Sequence, residues 1–106
     1  MSFDSFRHML WWVFVVSKGG RTRKAMVDLL MASPMNANQL AGKMSLNYRT
    51  VSHHLKVLTE SNLVEAQGPR YGQVYFPTSL LTSNITVYRE VVNPKKAEAR
   101  ARRVID

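Results

Sequence analysis

The chain has no cysteine, and only seven of its 106 residues are acidic. Without thiols there is no disulfide framework, no thiolate metal site and no cysteine nucleophile. Nothing then points to an oxidising compartment, so a cytoplasmic location is expected. Long apolar runs are missing too: Met9 to Val16 reads MLWWVFVV, far short of the about 20 residues a membrane-crossing helix needs. Asp4, Arg7 and His8 precede that run, and Ser17-Lys18-Gly19-Gly20 with the cluster Arg21, Arg23, Lys24 follows it, a pattern that argues against a secretory signal. Glycine-rich phosphate cradles, internal repeats and low-complexity tracts are absent and the few carboxylates are scattered, so no enzymatic activity is expected.

What is present is positive charge. Fifteen Lys+Arg against seven Asp+Glu give a formal charge of +8, with 45% hydrophobic and 21% charged residues. Those proportions are ordinary for a globular chain, so the charge excess sits on a folded body and a polyanion is the expected partner. A chain of this length makes one domain and buries about two-thirds of the surface its unfolded form exposes.

Helical periodicity organises most of the sequence. On a helical wheel, Phe3, Phe6, Leu10, Val13 and Phe14 share one arc, while Trp11, Trp12 and Val15 fall on the opposite one. A helix that is apolar nearly all round must be covered on two sides, which one small domain does not supply but a second copy of the chain does. The alternative is a run wholly in the core, or a strand, given its valine and tryptophan content. Gly19-Gly20 breaks this element, and Thr22 is positioned to cap a second helix with Met26, Leu29 and Leu30 at three- and four-residue spacing. Ser33-Pro34 ends it. Asn36 caps a short third helix from Ala37 to about Met44, Ser45-Leu46-Asn47 makes a tight turn, and Asn47 caps a fourth helix from Tyr48 to about Ser61 that Asn62 stops. No strand is expected between these helices.

After Leu63 the pattern changes to two short strand-like runs, Val64-Glu65-Ala66 and Gln73-Val74-Tyr75-Phe76, around the basic tip Gly68-Pro69-Arg70-Tyr71-Gly72. Ile85, Tyr88, Val91 and Val92 then predict a fifth helix from Asn84, interrupted at Asn93-Pro94. Helices, a tight helix-turn-helix and a β-hairpin, in that order, define a mainly α winged helix-turn-helix with extra N- and C-terminal helices. The expected organisation is one domain over 1–93 (N-terminal helix 1–17, helix-turn-helix core 21–62, wing 63–77, C-terminal helix 84–93) and a basic tail over 94–106.

The stretch Ala37-Asn38-Gln39-Leu40-Ala41, then Tyr48-Arg49-Thr50-Val51-Ser52-His53-His54-Leu55-Lys56-Val57-Leu58, then Leu63-Val64 resembles the helix-turn-helix of ArsR-type winged-helix transcriptional regulators, particularly those common in archaea. Upstream Gly19-Gly20-Arg21-Thr22-Arg23 and downstream Tyr71-Gly72-Gln73-Val74-Tyr75-Phe76 are similar to the flanks of that branch, so the resemblance spans about residues 19 to 77. It implies a homodimer that binds double-stranded DNA and represses transcription. Metal sensors of that family use cysteine-bearing sites, which this chain lacks.

The residues themselves also point to DNA. From Leu29 through Thr59 there is no Asp or Glu, although the stretch holds Lys43, Arg49 and Lys56. A surface that approaches phosphates is weakened by every carboxylate it carries. On the fourth helix Val51, Leu55 and Leu58 mark the buried side, leaving Arg49, Ser52 and His53 placed for base edges and Lys56 for phosphate. Tyr48, at the flank of the groove, either touches phosphate or a thymine methyl or simply packs. Arg70 suits a minor groove or the backbone, the role the resemblance implies for a wing; the alternative is a solvated turn. Arg21, Arg23 and Lys24 crowd the first turn of the second helix, where the macrodipole disfavours cations, so they read either as a phosphate-docking site or as a solvated cluster. The tail residues Lys95, Lys96, Arg100, Arg102 and Arg103 either add backbone contacts or only solubilise.

His54 neighbours His53, but successive helical residues point about 100° apart and do not chelate one ion, so His54 is read as a hydrogen-bonded flank of the core. No metal and no cofactor is expected. The expected dimer interface combines Phe3, Phe6, Leu10, Trp11, Trp12 and Val15 with Ile85, Tyr88 and Val92. The competing functions are an architectural DNA-binding protein of little specificity, and a membrane-surface or protein-interaction module using the first helix and residues 18–24.

Overall fold

The computed structural model describes residues 3–94, with side chains from residue 5 onward. The tail cations named above and the side chain of Phe3 therefore lie outside the described residues. Helix α1 (Phe3–Trp11) runs directly into a π-helical turn (Trp12–Val16), followed by α2 (Gly20–Ala32), β1 (Met35–Asn36), α3 (Ala37–Met44), α4 (Tyr48–Glu60), β2 (Val64–Gln67), β3 (Val74–Pro77), α5 (Ser79–Ser83) and α6 (Ile85–Val92). This is a winged helix-turn-helix: α3 and α4 form the helix-turn-helix and β2–β3 the wing.

The polar caps act where the sequence placed them. The Asn36 side chain accepts from the Gln39 N–H at 2.8 Å while the Gln39 side chain accepts from the Asn36 N–H at 2.8 Å, a reciprocal capping box that starts α3. The Asn47 side chain accepts from the Thr50 N–H at 2.8 Å and starts α4. Asn62, at φ +57°, turns the chain left-handed after α4, as its C-terminal position requires.

Thr22 is not the cap of α2. The helix begins earlier, at Gly20, and its cap is Gly19 at φ +90°, with no side-chain cap hydrogen bond. The cause lies in the preceding turn. The Ser17 N–H donates to the Trp12 carbonyl at 3.1 Å, five residues back, so the chain leaves the π-helical turn sharply. Gly20 follows so close behind that an added Cβ would stand 2.4 Å from the Phe14 carbonyl oxygen. Both glycines are thus structural, one for its backbone angle and one for the approach.

Two further expectations are corrected. A strand does stand between the helices: β1 pairs antiparallel with β3, Met35 opposite Tyr75 and Asn36 opposite Val74, giving a sheet of order β1-β3-β2. Two residues have no strand pattern of their own; they extend because β3 presents a free edge. The C-terminal segment is also two helices. The buried Thr78 accepts from the Leu81 N–H at 3.2 Å to start α5 and donates to the Asn62 carbonyl at 2.8 Å, and Asn84 separates α5 from α6.

One core joins these elements, centred on Leu10, Val13, Met26, Leu30, Leu40, Val51, Leu55, Leu58, Leu63 and Leu81. Helix α6 closes it against the N-terminal segment, with the Tyr88 ring edge-on to Phe14 at 5.1 Å and Arg7 paired with Glu90 at 3.0 Å. Phe6, Leu10 and Tyr88 are 4%, 0% and 1% exposed, which removes them from the expected dimer interface. The inner arc of the first helix is satisfied by its own chain, because α6 folds back over it. Ile85 and Val92 stay half-buried, while Trp11, Trp12 and Val15 remain exposed.

Two glycine substitutions separate constraint from tolerance. Gly20→Ala should lower stability by about 3 kcal/mol, because the Phe14 carbonyl is fixed backbone. Gly42→Ala, where a Cβ meets nothing within 4 Å inside α3, should raise it by about 0.5–1 kcal/mol. Urea unfolding of both variants measures the pair.

Candidate nucleic-acid interface

Helix α4 is two-sided. Val51, His54, Leu55 and Leu58 are buried, while Tyr48, Arg49, His53 and Lys56 are exposed and Ser52 is half-buried. The sides separate because residues three and four apart stack on one face of a helix. Tyr48, Arg49, Ser52, His53 and Lys56 are thereby brought onto the outward side of one helix, beginning at its capped N-terminus. No carboxylate lies between Asp28 and Glu60 to offset them.

The wing stands beside this helix. Leu55, Lys56 and Thr59 of α4 line an open groove with Glu65, Gln73 and Tyr75 of the wing stem. Burial, and after it the Tyr48 phenol, push the Tyr75 hydroxyl above its ordinary pKa. At the wing tip Gly68 (φ +101°) and Gly72 (φ +75°) turn the chain around Arg70, which is exposed, and Tyr71, which is 89% exposed. Sequence reasoning singled out Arg70 but passed over Tyr71, although an aromatic inside a glycine-flanked tip has no core within reach.

The basic cluster at the start of α2 does not stay together. Arg21 is exposed. Lys24 is held by Asp28 at 2.7 Å, one helical turn on, and Asp28 also accepts from the Tyr88 hydroxyl at 3.0 Å. Arg23 is 3% exposed, so its expected phosphate contact is corrected: its guanidinium points into the protein. Lys43 is exposed in the last turn of α3, lining the shallow grooves that α3 forms with α2.

Arg23 makes four contacts, all to neutral groups. Its Nε donates to the Val13 carbonyl at 3.0 Å, one terminal nitrogen to His54 Nδ1 at 3.1 Å, and the other to the Ser17 hydroxyl and, at 3.3 Å, to the Lys18 carbonyl. The Val13 oxygen, which also accepts from the Ser17 hydroxyl at 3.4 Å, is open to the guanidinium because the π-helical turn sends the Ser17 N–H to Trp12 instead. For His54 to accept at Nδ1, the proton of its neutral ring must sit on Nε2. The reading of His54 as a hydrogen-bonded flank of the core matches this arrangement. Its partner was not legible, because arginine beside other cations at a helix start ordinarily faces water. Among the described residues no group of His, Asp or Glu is arranged to hold a metal ion, and no helix is long and apolar enough to cross a membrane.

Residues 20–66 match the family model described as bacterial regulatory protein, arsR family. No curated protein matches the chain significantly. Solved structures with the same fold include a homodimeric winged helix-turn-helix DNA-binding domain from Mycobacterium bovis, a possible ArsR-family transcriptional regulator, at 20% identity and TM-score 0.67, covering 87% of this chain and 82% of that one. An ArsR-like transcriptional regulator from Rhodococcus is similar at 17% identity and TM-score 0.63, covering 96% and 90%. Reduced HlyU from Vibrio cholerae is similar at 14% identity and TM-score 0.63, covering 85% and 92%.

Burial holds the His54 pKa below its ordinary value, and the charges of Arg23 and His53 lower it further. The unfolded chain therefore takes up a proton near the ordinary histidine value of about 6.5, where the folded chain resists it. Stability is fully present above that value and is lost as pH falls from it through the folded pKa. Unfolding midpoints at about pH 8 and pH 5 should show this loss. His54→Gln, which accepts from Arg23 without titrating, should remove the His54 share of it.

Proposed function

We propose that the chain is an ArsR-family transcriptional regulator that binds a specific double-stranded DNA site as a homodimer and represses transcription in the cytoplasm. One observation carries the reading: the outward side of α4 presents Tyr48, Arg49, Ser52, His53 and Lys56 in a stretch with no carboxylate from Leu29 through Thr59. In a helix-turn-helix this second helix enters the major groove with its N-terminal half, which assigns Arg49, Ser52 and His53 to base edges. Lys56, Arg21 and Lys43 meet phosphates, and Arg70 reaches the backbone or minor groove from the wing. Binding of this kind requires no catalysis and no cofactor.

The assembly follows from the other end of the chain. Trp11, Trp12, Val15 and Val16 are 53%, 60%, 50% and 46% exposed, a contiguous apolar strip on the outer side of the N-terminal segment. A second copy covers it, and the homodimeric neighbour from Mycobacterium bovis supports that choice. Two recognition helices then meet a nearly palindromic site at half-sites about 34 Å apart. The resemblance of the flanks 19–23 and 71–76 to archaeal regulators supports assignment to that branch, and repression rests on the same likeness.

Selection of bound duplexes from a random library should yield a palindromic consensus; no enrichment would leave an architectural role. Affinity should fall with salt by about 0.9 in log–log slope for each phosphate contacted. Arg49→Ala should cost about 1–3 kcal/mol on the selected site and little on random DNA, whereas Arg21→Ala should weaken both alike. Trp12→Glu should convert the dimer to monomer in sedimentation, and a wild-type monomer would refute the interface.

A further inference from the structure

We propose that Arg23 is a positioning residue that joins the apolar face of the N-terminal segment to the recognition helix, and that a proton on His54 opens the joint. The proposal rests on the reading of α4 as the DNA-facing helix. Arg23 bonds both elements at once. It holds the Val13 carbonyl and the Ser17 hydroxyl on one side and His54 Nδ1, at 3.1 Å, on the other. Val13 sits in the turn that also carries Trp12 and Val15, and His54 follows His53 and precedes Lys56 on α4. A shift of the π-helical turn therefore reaches the recognition helix through one rigid guanidinium.

The joint has no slack. A Cβ on Gly19 would stand 2.6 Å from His54 Cε1 and 3.0 Å from the nearest Arg23 terminal nitrogen, so backbone closes one side of the pair. Nor has it a counter-ion among the described residues, where its hydrogen-bond partners are neutral. Among the described residues, the charges that bear on the His54 ring are Arg23 from α2 and His53 from α4, whose ring centroid lies 5.4 Å away, and no carboxylate. Protonation at Nδ1 replaces a donor–acceptor contact by two donors and two cations at the same distance. That contact cannot persist, and α4 and the turn part.

The test follows the intact chain by NMR between about pH 8 and pH 5.5. It reads the His54 ring protons, the Trp11 and Trp12 indole N–H signals and the α4 amides, alongside affinity for the selected duplex. In the wild type and in His53→Gln, the indole and α4 signals should move with the His54 midpoint, and wild-type affinity should fall about threefold to tenfold. In His54→Gln both responses should vanish. Arg23→Lys, which retains a cation but reaches fewer acceptors at once, should let His54 titrate while the indole signals stay still. The proposal is overturned if the wild-type indole or α4 signals ignore the His54 titration, or if His54→Gln keeps the acid response. Should the signals move together in a protein that binds no DNA at any pH, the joint stands and the DNA-binding function falls.

Discussion

A buried guanidinium whose partners carry no negative charge is costly to desolvate, and such a group persists only where each of its nitrogens finds an acceptor. Arg23 meets that condition through an irregularity in the first helix. The π-helical turn withdraws the Ser17 N–H from the Val13 carbonyl, and the freed oxygen becomes the acceptor for Arg23 Nε. The same turn forces the glycine pair, sets where α2 begins and leaves His54 as the remaining acceptor. Helix break, buried cation and neutral histidine are one solution to one hydrogen-bonding problem. The placement of the N-terminal segment against α4 depends on it.

This commitment changes how the positive charge is distributed. Of the three cations at the start of α2, Arg23 is consumed internally and Lys24 is opposed by Asp28, which also anchors Tyr88 of α6. Of the three, Arg21 faces solvent. Among the described residues the outward cations include Lys43 on α3, Arg49 and Lys56 on α4 and Arg70 at the wing tip, besides Lys18, Arg21 and Arg89. The net excess of the chain thus overstates the cluster beside Gly20 and understates the recognition helix, where few cations act in a stretch without carboxylates.

The N-terminal segment shows how one apolar run serves two surfaces. Its inner residues Phe6, Leu10, Val13 and Phe14 are covered by α6 and the rest of the core, whereas Trp11, Trp12, Val15 and Val16 are left outside. The matching family model covers 20–66 and so excludes this segment, while the solved structures of the same fold extend across most of the chain. Similar folds at such low identity share a scaffold without sharing its surface residues.

Much was legible in the sequence because it rests on interactions between near neighbours. The caps at Asn36 and Asn47, the stop at Asn62, the hairpin and the buried side of α4 all follow from spacing and side-chain type within a few residues. So does the absence of carboxylates, which needs no structure to be seen. Contacts between distant residues were not legible. Strand β1 exists only because β3 lies beside it, and α5 begins where Thr78 bonds to the Asn62 carbonyl. Whether Phe6, Leu10 and Tyr88 face the core or a partner depends on α6 folding back over α1. The sequence by itself determined the helix-turn-helix and the hairpin, and which side of α4 is polar. Only the tertiary structure decided that Arg23 turns inward to Val13 and His54, because a carbonyl freed in one helix and an imidazole on another, 31 positions beyond the arginine, meet at the same guanidinium.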